Sequence, residues 1–438
     1  MPRALHASLP LLLVLAFACG QDCPPGQGLD AQGACRALAF DGASSDSEAG
    51  SDSDPSTVNE PGGQEDTDSP VPDDGLPTSP STTYLGNISF YTREAMVQFC
   101  ASFDRVYGDV TIAGPLIDDD VDFDCIKEVQ GYLSVTDTRW TSWHLNSLQV
   151  IGRNLTVSNN EELASFTPVP PLVVGGDVNF SNDPELMTLS LDTLTVRGGL
   201  SLSTMNGLTS FTIAQPDPMN GPLSLSSCSA LRSVDLSSVA LNAEQVTIAG
   251  MVVLDDLSLG GVHGDPSSVV IYSNPALRGV SFTGLTGRIE SLSVFGNPAL
   301  DLIDLSNVAS LGAFSVFSNG ASLSLDLRAV VEVSASVTIP QSGVLRVDSL
   351  QHVGGDLLVS STGLVDLDGL SAMRTVGGGL TISSNDSLTS VVGLSQLESI
   401  GGDLDISWND LLGDAAANAL VVEIGEENIG GDVTVRGN

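Results

Sequence analysis

Tyr272, Phe295 and Phe317 stand 23 and 22 residues apart, each at the end of a short segment in which apolar and polar residues alternate. If the chain winds at that same pitch, the three rings lie over one another in one exposed stripe, followed by Pro340. Aromatic stripes hold ligands: rings cover sugar faces or anchor a protein partner. The plainer expectation is self-stacking that only stabilises a sheet. A second row is acidic. Asp304, Asp326, Asp348 and Asp368 each follow the start of such a segment by eleven or twelve residues. Stacked carboxylates repel, so they raise one another's pKa or recruit a cation. Ca²⁺ is the cation this row would take, against the alternative of a solvated ladder, and no other cofactor is expected. The loop from Asp118 to Asp124 holds five Asp but lacks the Gly and distal Glu of an EF-hand.

A third row carries hydroxyls, as at Thr111, Ser134, Thr156, Ser201, Ser224 and Thr247. Such a surface suits glycan contact or ice binding, against the ordinary reading of β-propensity and solubility. Catalysis has little to work with. His144, His263 and His352 fall at unrelated phases of the repeat. No zinc spacing, nucleophile elbow, phosphate loop or dinucleotide fingerprint stands in the right context. No catalytic residue is assigned and the chain is not expected to be an enzyme. The rival reading is a polysaccharide-active β-helix enzyme, which needs a groove with convergent carboxylates and an Arg, for example near Arg278 or Arg328.

The elements that must position these rows repeat. Fifteen segments begin at Val110, Leu133, Leu155, Val178, Leu200, Leu223, Val246, Val269, Leu292, Phe314, Val337, Leu357, Leu380, Leu404 and Val433. Units of about 23 residues that bury an apolar side only by stacking form a solenoid. Alternation within each segment predicts a short strand. Asn follows at Asn160, Asn274, Asn297, Asn319, Asn385 and Asn409, where it can bond the backbone of the turn and of the adjoining coil. An apolar-Gly-Gly turn precedes many strands, as at Val174-Gly175-Gly176 and Ile400-Gly401-Gly402, and predicts a corner at which Gly supplies positive φ. Leu388, Val391, Leu394, Leu397 and Ile400 illustrate a second apolar set that closes each coil. Helical periodicity is confined to Asp414–Ile424. The expected fold is an all-β solenoid of about 15 coils. No cap is evident after the last strand, so that end is expected to fray or to be covered by a partner.

The composition changes sharply before the repeats. Residues 1–18 read as an export signal, with Arg3, an apolar run Leu9–Phe17 and a small-residue end. Leu15-Ala16-Phe17-Ala18-Cys19 resembles a bacterial lipoprotein signal in which Cys19 is lipidated, although Ala-x-Ala also suits ordinary signal peptidase. Residues 19–36 hold a small loop that a Cys23–Cys35 disulfide would close, and Cys100–Cys125 would flank the first repeat. Cys228 stands where other repeats have Asn and reads as a buried thiol. Residues 37–83 are rich in Ser, Asp, Glu, Gly and Pro, which predicts a disordered acidic tether. Residues 84–438 are the repeat domain. A net charge of −39, with one Lys and 14 Arg, excludes nucleic acid as a partner and leaves cations, basic proteins or neutral glycans. The expected location is a bacterial outer membrane or cell surface, reached through an N-terminal lipid.

Phe99-Cys100, Gly108-Asp109-Val110-Thr111-Ile112, Val129-Gln130-Gly131-Tyr132-Leu133 and Leu148-Gln149-Val150-Ile151-Gly152-Arg153-Asn154-Leu155 resemble a receptor L domain, the leucine-rich-repeat relative found in insulin and growth-factor receptors. Leu397 to Asn409 has the same flavour. The resemblance covers roughly residues 95–210 and 345–410, and the middle keeps only the period. It implies a right-handed single-stranded β-helix, matches Cys100–Cys125 to an N-terminal disulfide, and implies a protein ligand held on a solenoid face. The receptor role does not carry over, because the Cys-rich modules and kinase are missing. The expected function is non-catalytic, adhesin- or receptor-like binding of a protein or glycan at the cell envelope, with a passive envelope spacer as a further alternative.

Overall fold

The computed structural model describes residues 27–29, 35–37 and 83–438, apart from 121–122, 169–170, 215–216, 243, 263, 321–322 and 340–343. The export signal, Cys19, Cys23, the tether, His263 and Pro340 lie outside the described residues. Gln27–Leu29 pairs antiparallel with Cys35–Ala37.

From Thr83 onward the chain is an all-β parallel solenoid. Ile88, Val110, Leu133, Leu155, Val178, Leu200, Leu223, Val246, Val269, Leu292 and Phe314 are successive register partners. Val337, Leu357, Leu380, Leu404 and Val433 form a second run. Between the runs, Ser334 and Ala335 N–H donate to the Leu311 and Gly312 carbonyls. All fifteen segments expected from the repeat are therefore strands of the stack, and Ile88–Phe90 adds one before them. Two more faces complete the coils. One runs through Val106, Val129, Ile151, Val174 and Val196. The other runs through Val234, Leu257, Val280, Ile303 and Leu325. Their apolar side chains fill one continuous core.

The corners work differently from expectation. None of Gly175, Gly176, Gly377, Gly378, Gly401 or Gly402 has positive φ. These glycines are needed because the coils approach too closely for a side chain. A Cβ on Gly401 would lie 2.0 Å from the Gly377 carbonyl oxygen, and one on Gly175 would lie 2.4 Å from that of Gly152. At Gly176 and Gly378 the missing side chain leaves room for a cap from the neighbouring coil: a Cβ there would meet Asn154 Oδ1 at 2.1 Å and Asp356 Oδ1 at 2.2 Å. Asn154 Oδ1 accepts from Asp177 N–H (3.0 Å), and Asp177 Oδ1 accepts from Gly199 N–H (2.7 Å). The left-handed corner sits instead four residues after each column residue. Asp137, Asn159, Asn182, Thr204, Ser227, Ser273, Ser318, Ser361, Ser384 and Trp408 adopt it, with φ between 54° and 59°. Nine of these ten are short polar residues, which tolerate that geometry by bonding locally, and Trp408 is the exception.

The next residue builds a buried polar column. Asn274 N–H and Nδ2 donate to Asn297 Oδ1 (3.0 and 3.1 Å), and those of Asn297 donate to Asn319 Oδ1 (3.2 and 3.0 Å). Each Nδ2 also donates to a carbonyl of the preceding coil, Ile248 for Asn274 and Ile271 for Asn297. Asn385, Asn409 and Asn438 repeat the scheme. Cys228 substitutes for Asn by directing its Sγ to the Leu202 carbonyl (3.9 Å). Burial pushes this thiol up to about 11, so it stays protonated. Asp183 is the exception. Its Oδ1 accepts from Asn160 N–H and Nδ2 (2.7 and 3.0 Å), as an Asn would. Its Oδ2 is buried with no partner. Burial raises its carboxyl to about 6.

The helix Arg93–Cys100 was not anticipated. Thr92 caps it, accepting from Ala95 N–H, and it buries Met96 and Phe99. Cys100 and Cys125 form the expected disulfide, with Cα atoms 5.4 Å apart. Edge-to-face rings run from Tyr84 and Phe99 through Phe90, Phe123, Trp140, Trp143 and Phe166 to Phe180. The helix Asp414–Ile424 lies where the periodicity placed it and buries Ala417, Leu420, Val421 and Ile424. At its start Asp414 Oδ1 accepts from Asn438 N–H and Nδ2 (3.1 and 3.2 Å), which ties down the strand Val433–Arg436.

Two stability predictions follow from these columns. Between the unfolded carboxyl value and about 6, folding takes up a proton at Asp183, so its share of stability falls as pH rises through that window and the full cost stands above it. Asp183→Asn places an Nδ2 donor where the carboxylate stood, toward the Val157 carbonyl that corresponds to Ile271. It should leave stability near pH 4 almost unchanged and raise it at pH 7 by about 2–3 kcal/mol, read from denaturant midpoints. Gly401→Ala should destabilise by about 1–3 kcal/mol through overpacking. Gly363→Ala, where nothing lies within 4 Å of the new Cβ, should be close to neutral in the same assay.

Candidate functional site

The aromatic stripe forms by register. Tyr272 pairs with Phe295, and Phe295 with Phe317, on adjacent strands. Ring centroids are 5.2 and 5.1 Å apart and the planes differ by 10° and 3°. Parallel rings one strand apart share their faces, so ring edges meet solvent. Ala249, the register partner before Tyr272, is buried and begins the ridge with a methyl group. Phe317 is 52% exposed. Ser273, Gly296 and Ser318 at the adjoining corner are small and leave the ridge standing clear. Apart from Ala113, Ala249 and Arg436, the other described residues of this column are hydroxylic: Ser158, Ser181, Ser203 and Ser226 are register neighbours, and Ser383 bonds Ser360 at 3.1 Å.

The acidic row does not assemble as four carboxylates. Asp304 and Asp326 are register partners, but Arg346, not Asp348, stands opposite Asp326. The 20-residue repeat from Val337 to Leu357 is three residues shorter than its neighbours, and its missing residues fall before this face. Asp368 opens the 3₁₀ turn Asp368–Leu370 instead of joining the sheet. Arg328 Nε meets Asp326 Oδ1 at 2.9 Å. This hydrogen bond and the charges of Asp326, Asp304 and Asp348 push the guanidinium pKa up. Asp326 is thus paired with an organic cation, the Arg328 guanidinium. Among the described residues, no group of three or more His, Cys, Asp or Glu side chains is arranged to hold a metal ion.

In the Asp118–Asp124 loop, Asp119 accepts from Thr141 N–H (2.8 Å) and Thr141 Oγ1 (2.5 Å) and contacts His144 Nε2 at 2.8 Å. Burial works to raise its pKa, but these bonds and the His144 charge hold it below the usual carboxylate range. Ser142 Oγ lies 3.4 Å from the same Nε2. Both contacts fall on the same ring nitrogen, whereas a hydrolase triad needs one imidazole nitrogen on the serine and the other on the carboxylate.

Two clefts were not foreseen, although their residues fall in register on neighbouring coils: Asp137 with Asn159 and Arg139 with Glu161 in one, Tyr107 with Gln130 and Gly131 with Arg153 in the other. One of about 310 Å³ is lined by Pro115, Asp137, Thr138, Arg139, Asn159, Glu161 and Glu162. It combines carboxylates with an Arg, far in sequence from Arg278 and Arg328. The other, also about 310 Å³, is lined by Asn87, Tyr107, Gly108, Asp109, Gln130, Gly131 and Arg153. The available sequence signal was Tyr107, an aromatic on an outward strand position. No protein-family model matches the chain, and no curated protein matches it either.

Proposed function

We propose that this protein is a non-catalytic recognition protein of the cell envelope, a lipoprotein whose solenoid holds a protein ligand against the Tyr272–Phe295–Phe317 ridge. The observation that carries the reading is the in-register aromatic stack, half-buried at Tyr272 and Phe295 and exposed at Phe317. A protein ligand suits it better than a glycan: sugar rings pack on aromatic faces, and here the inner faces are taken by neighbouring rings, whereas ring edges interdigitate with apolar side chains. The net charge of −39 favours a neutral or basic partner. The resemblance to receptor L domains supports a protein ligand on a solenoid face. The lipid at Cys19 and the acidic tether would hold that face away from an outer membrane.

The polysaccharide-active enzyme keeps one supporting observation, the Asp137–Arg139–Glu161–Glu162 cleft. Depolymerisation of an envelope polysaccharide by the purified chain, abolished by Glu161→Gln with Glu162→Gln, would replace the binding reading with this one.

The ridge is tested with full-length protein carrying a photo-crosslinking phenylalanine analogue at position 295. The expected result is a discrete adduct with one envelope protein. Replacing Tyr272, Phe295 and Phe317 together by Ser should weaken binding to that protein about 100-fold, as loss of a central aromatic anchor does. An unchanged affinity in the triple variant would make the stack structural and leave the solenoid a passive spacer.

A further inference from the structure

The Tyr107–Arg153 cleft is chemically distinct from the ridge. Tyr107 ends the strand Arg105–Tyr107 and is 65% exposed, although its register partner Leu85 lies beside it. Its backbone is already committed, since its carbonyl accepts from Gly86 N–H. The corner around it is satisfied as well. Asn87 Oδ1 accepts from Asp109 N–H (2.9 Å), and Asp109 Oδ1 accepts from Tyr132 N–H (3.1 Å). Gln130 Nε2 donates to Glu128 Oε1. The polar atoms left over are Asn87 Nδ2, the second Asp109 oxygen, Gln130 Oε1 and the Arg153 guanidinium. They are donors and acceptors in mixture around one aromatic ring.

Arg153 matters because of the cations near it. Arg105 is bound to Glu128 and Lys127 to Asp104, both at 3.1 Å. Arg153 is exposed and has no ion-pair partner among the described residues. Gly108 and Gly131 also line the cleft, and the close approach of the coils keeps side chains off them: a Cβ on Gly108 would lie 2.2 Å from the Gly86 carbonyl oxygen. At about 310 Å³ the cleft reaches the lower end of the range for small-ligand sites. A smaller cleft of about 120 Å³ shares Tyr107 and Gln130 with it, so a ligand longer than one ring can continue past the tyrosine.

The geometry points to a carbohydrate subsite for an acidic sugar, with the C–H face of the ring on Tyr107, the carboxylate on Arg153, and hydroxyls on Gln130, Asn87 and the free Asp109 oxygen. A lone unpaired guanidinium among carboxylates selects a singly charged ligand. A polyphosphate or nucleic acid would meet the field of the whole acidic chain. A protein partner would require an apolar lining, which this cleft lacks.

The test is calorimetric titration of the full-length protein with a galactose trimer in which one residue is galacturonic acid, so that it carries a single carboxylate, and, in parallel, the neutral galactose trimer. Saturable binding of the acidic trimer, at least about fivefold tighter than the neutral one, is expected. Arg153→Ala should weaken the acidic trimer about tenfold and erase the preference, because one charge-assisted contact is lost. Tyr107→Ala should weaken both trimers about tenfold. Both variants should keep the wild-type melting curve, since both side chains are exposed. The Tyr272/Phe295/Phe317 triple Ser variant should bind the trimers normally, so failure here is separable from failure at the ridge. No saturable binding at millimolar sugar, equal affinity for the two trimers, or affinities unmoved by both variants would overturn the proposal.

Discussion

Parallel strands hydrogen-bonded at about 4.8 Å leave a coil no choice of neighbour: each residue lies against its own counterpart 22 or 23 positions away. Every column must therefore be compatible with itself. Val, Leu and Ile satisfy that inside the core. Asn satisfies it in a buried polar column, because one amide both accepts from the coil before it and donates to the coil after it. Gly satisfies it where backbones nearly touch. Aspartate does not, since a carboxylate stacked on a hydrogen-bonded column offers an acceptor where a donor belongs. Asp183 occupies such a place, and its raised pKa is the electrostatic consequence.

The same constraint accounts for part of the acidity. At the corner before each strand, N–H groups of one coil need acceptors from its neighbour. Asp109, Asp177, Asp265, Asp356 and Asp403 supply them. Lys and Arg, which only donate, cannot fill that role. The excess of carboxylates is thus partly a structural requirement of stacking, beyond its effect on solubility. Cations enter locally, at Arg328 and Arg105 against named carboxylates.

What the sequence made legible was whatever repeats in step. The strand column, the Asn ladder, the hydroxyl rows and the alignment of Tyr272, Phe295 and Phe317 all follow from one period. Features that depend on a local break in that period were not legible. Asp348 was placed by counting from Val337, but the three-residue deletion lies between them and Arg346 takes the register position. Glycine pairs were read as left-handed corners because sequence shows the residue type and not the distance to the next coil. The residues of the Tyr107 and Asp137 clefts align by column count, but a count does not show where space opens between adjacent columns at a corner. The helix Arg93–Cys100 precedes the first expected segment and has no counterpart in other coils against which to recognise it.

The ridge is best judged by what the solenoid would lack without it. The positions of Tyr272, Phe295 and Phe317 could have been Ser or Thr, since Ser181, Ser203 and Ser226 keep register in the same column. Two stacked aromatic pairs add about 1–3 kcal/mol, a contribution the neighbouring coils do without. Against it stands a half-exposed Phe317, apolar surface that water covers at a cost. Self-stacking alone would be served as well by rings with their edges buried. Rings left standing above a corner of Ser and Gly are placed where another surface can reach them, and the apolar area they leave open is what that surface would cover.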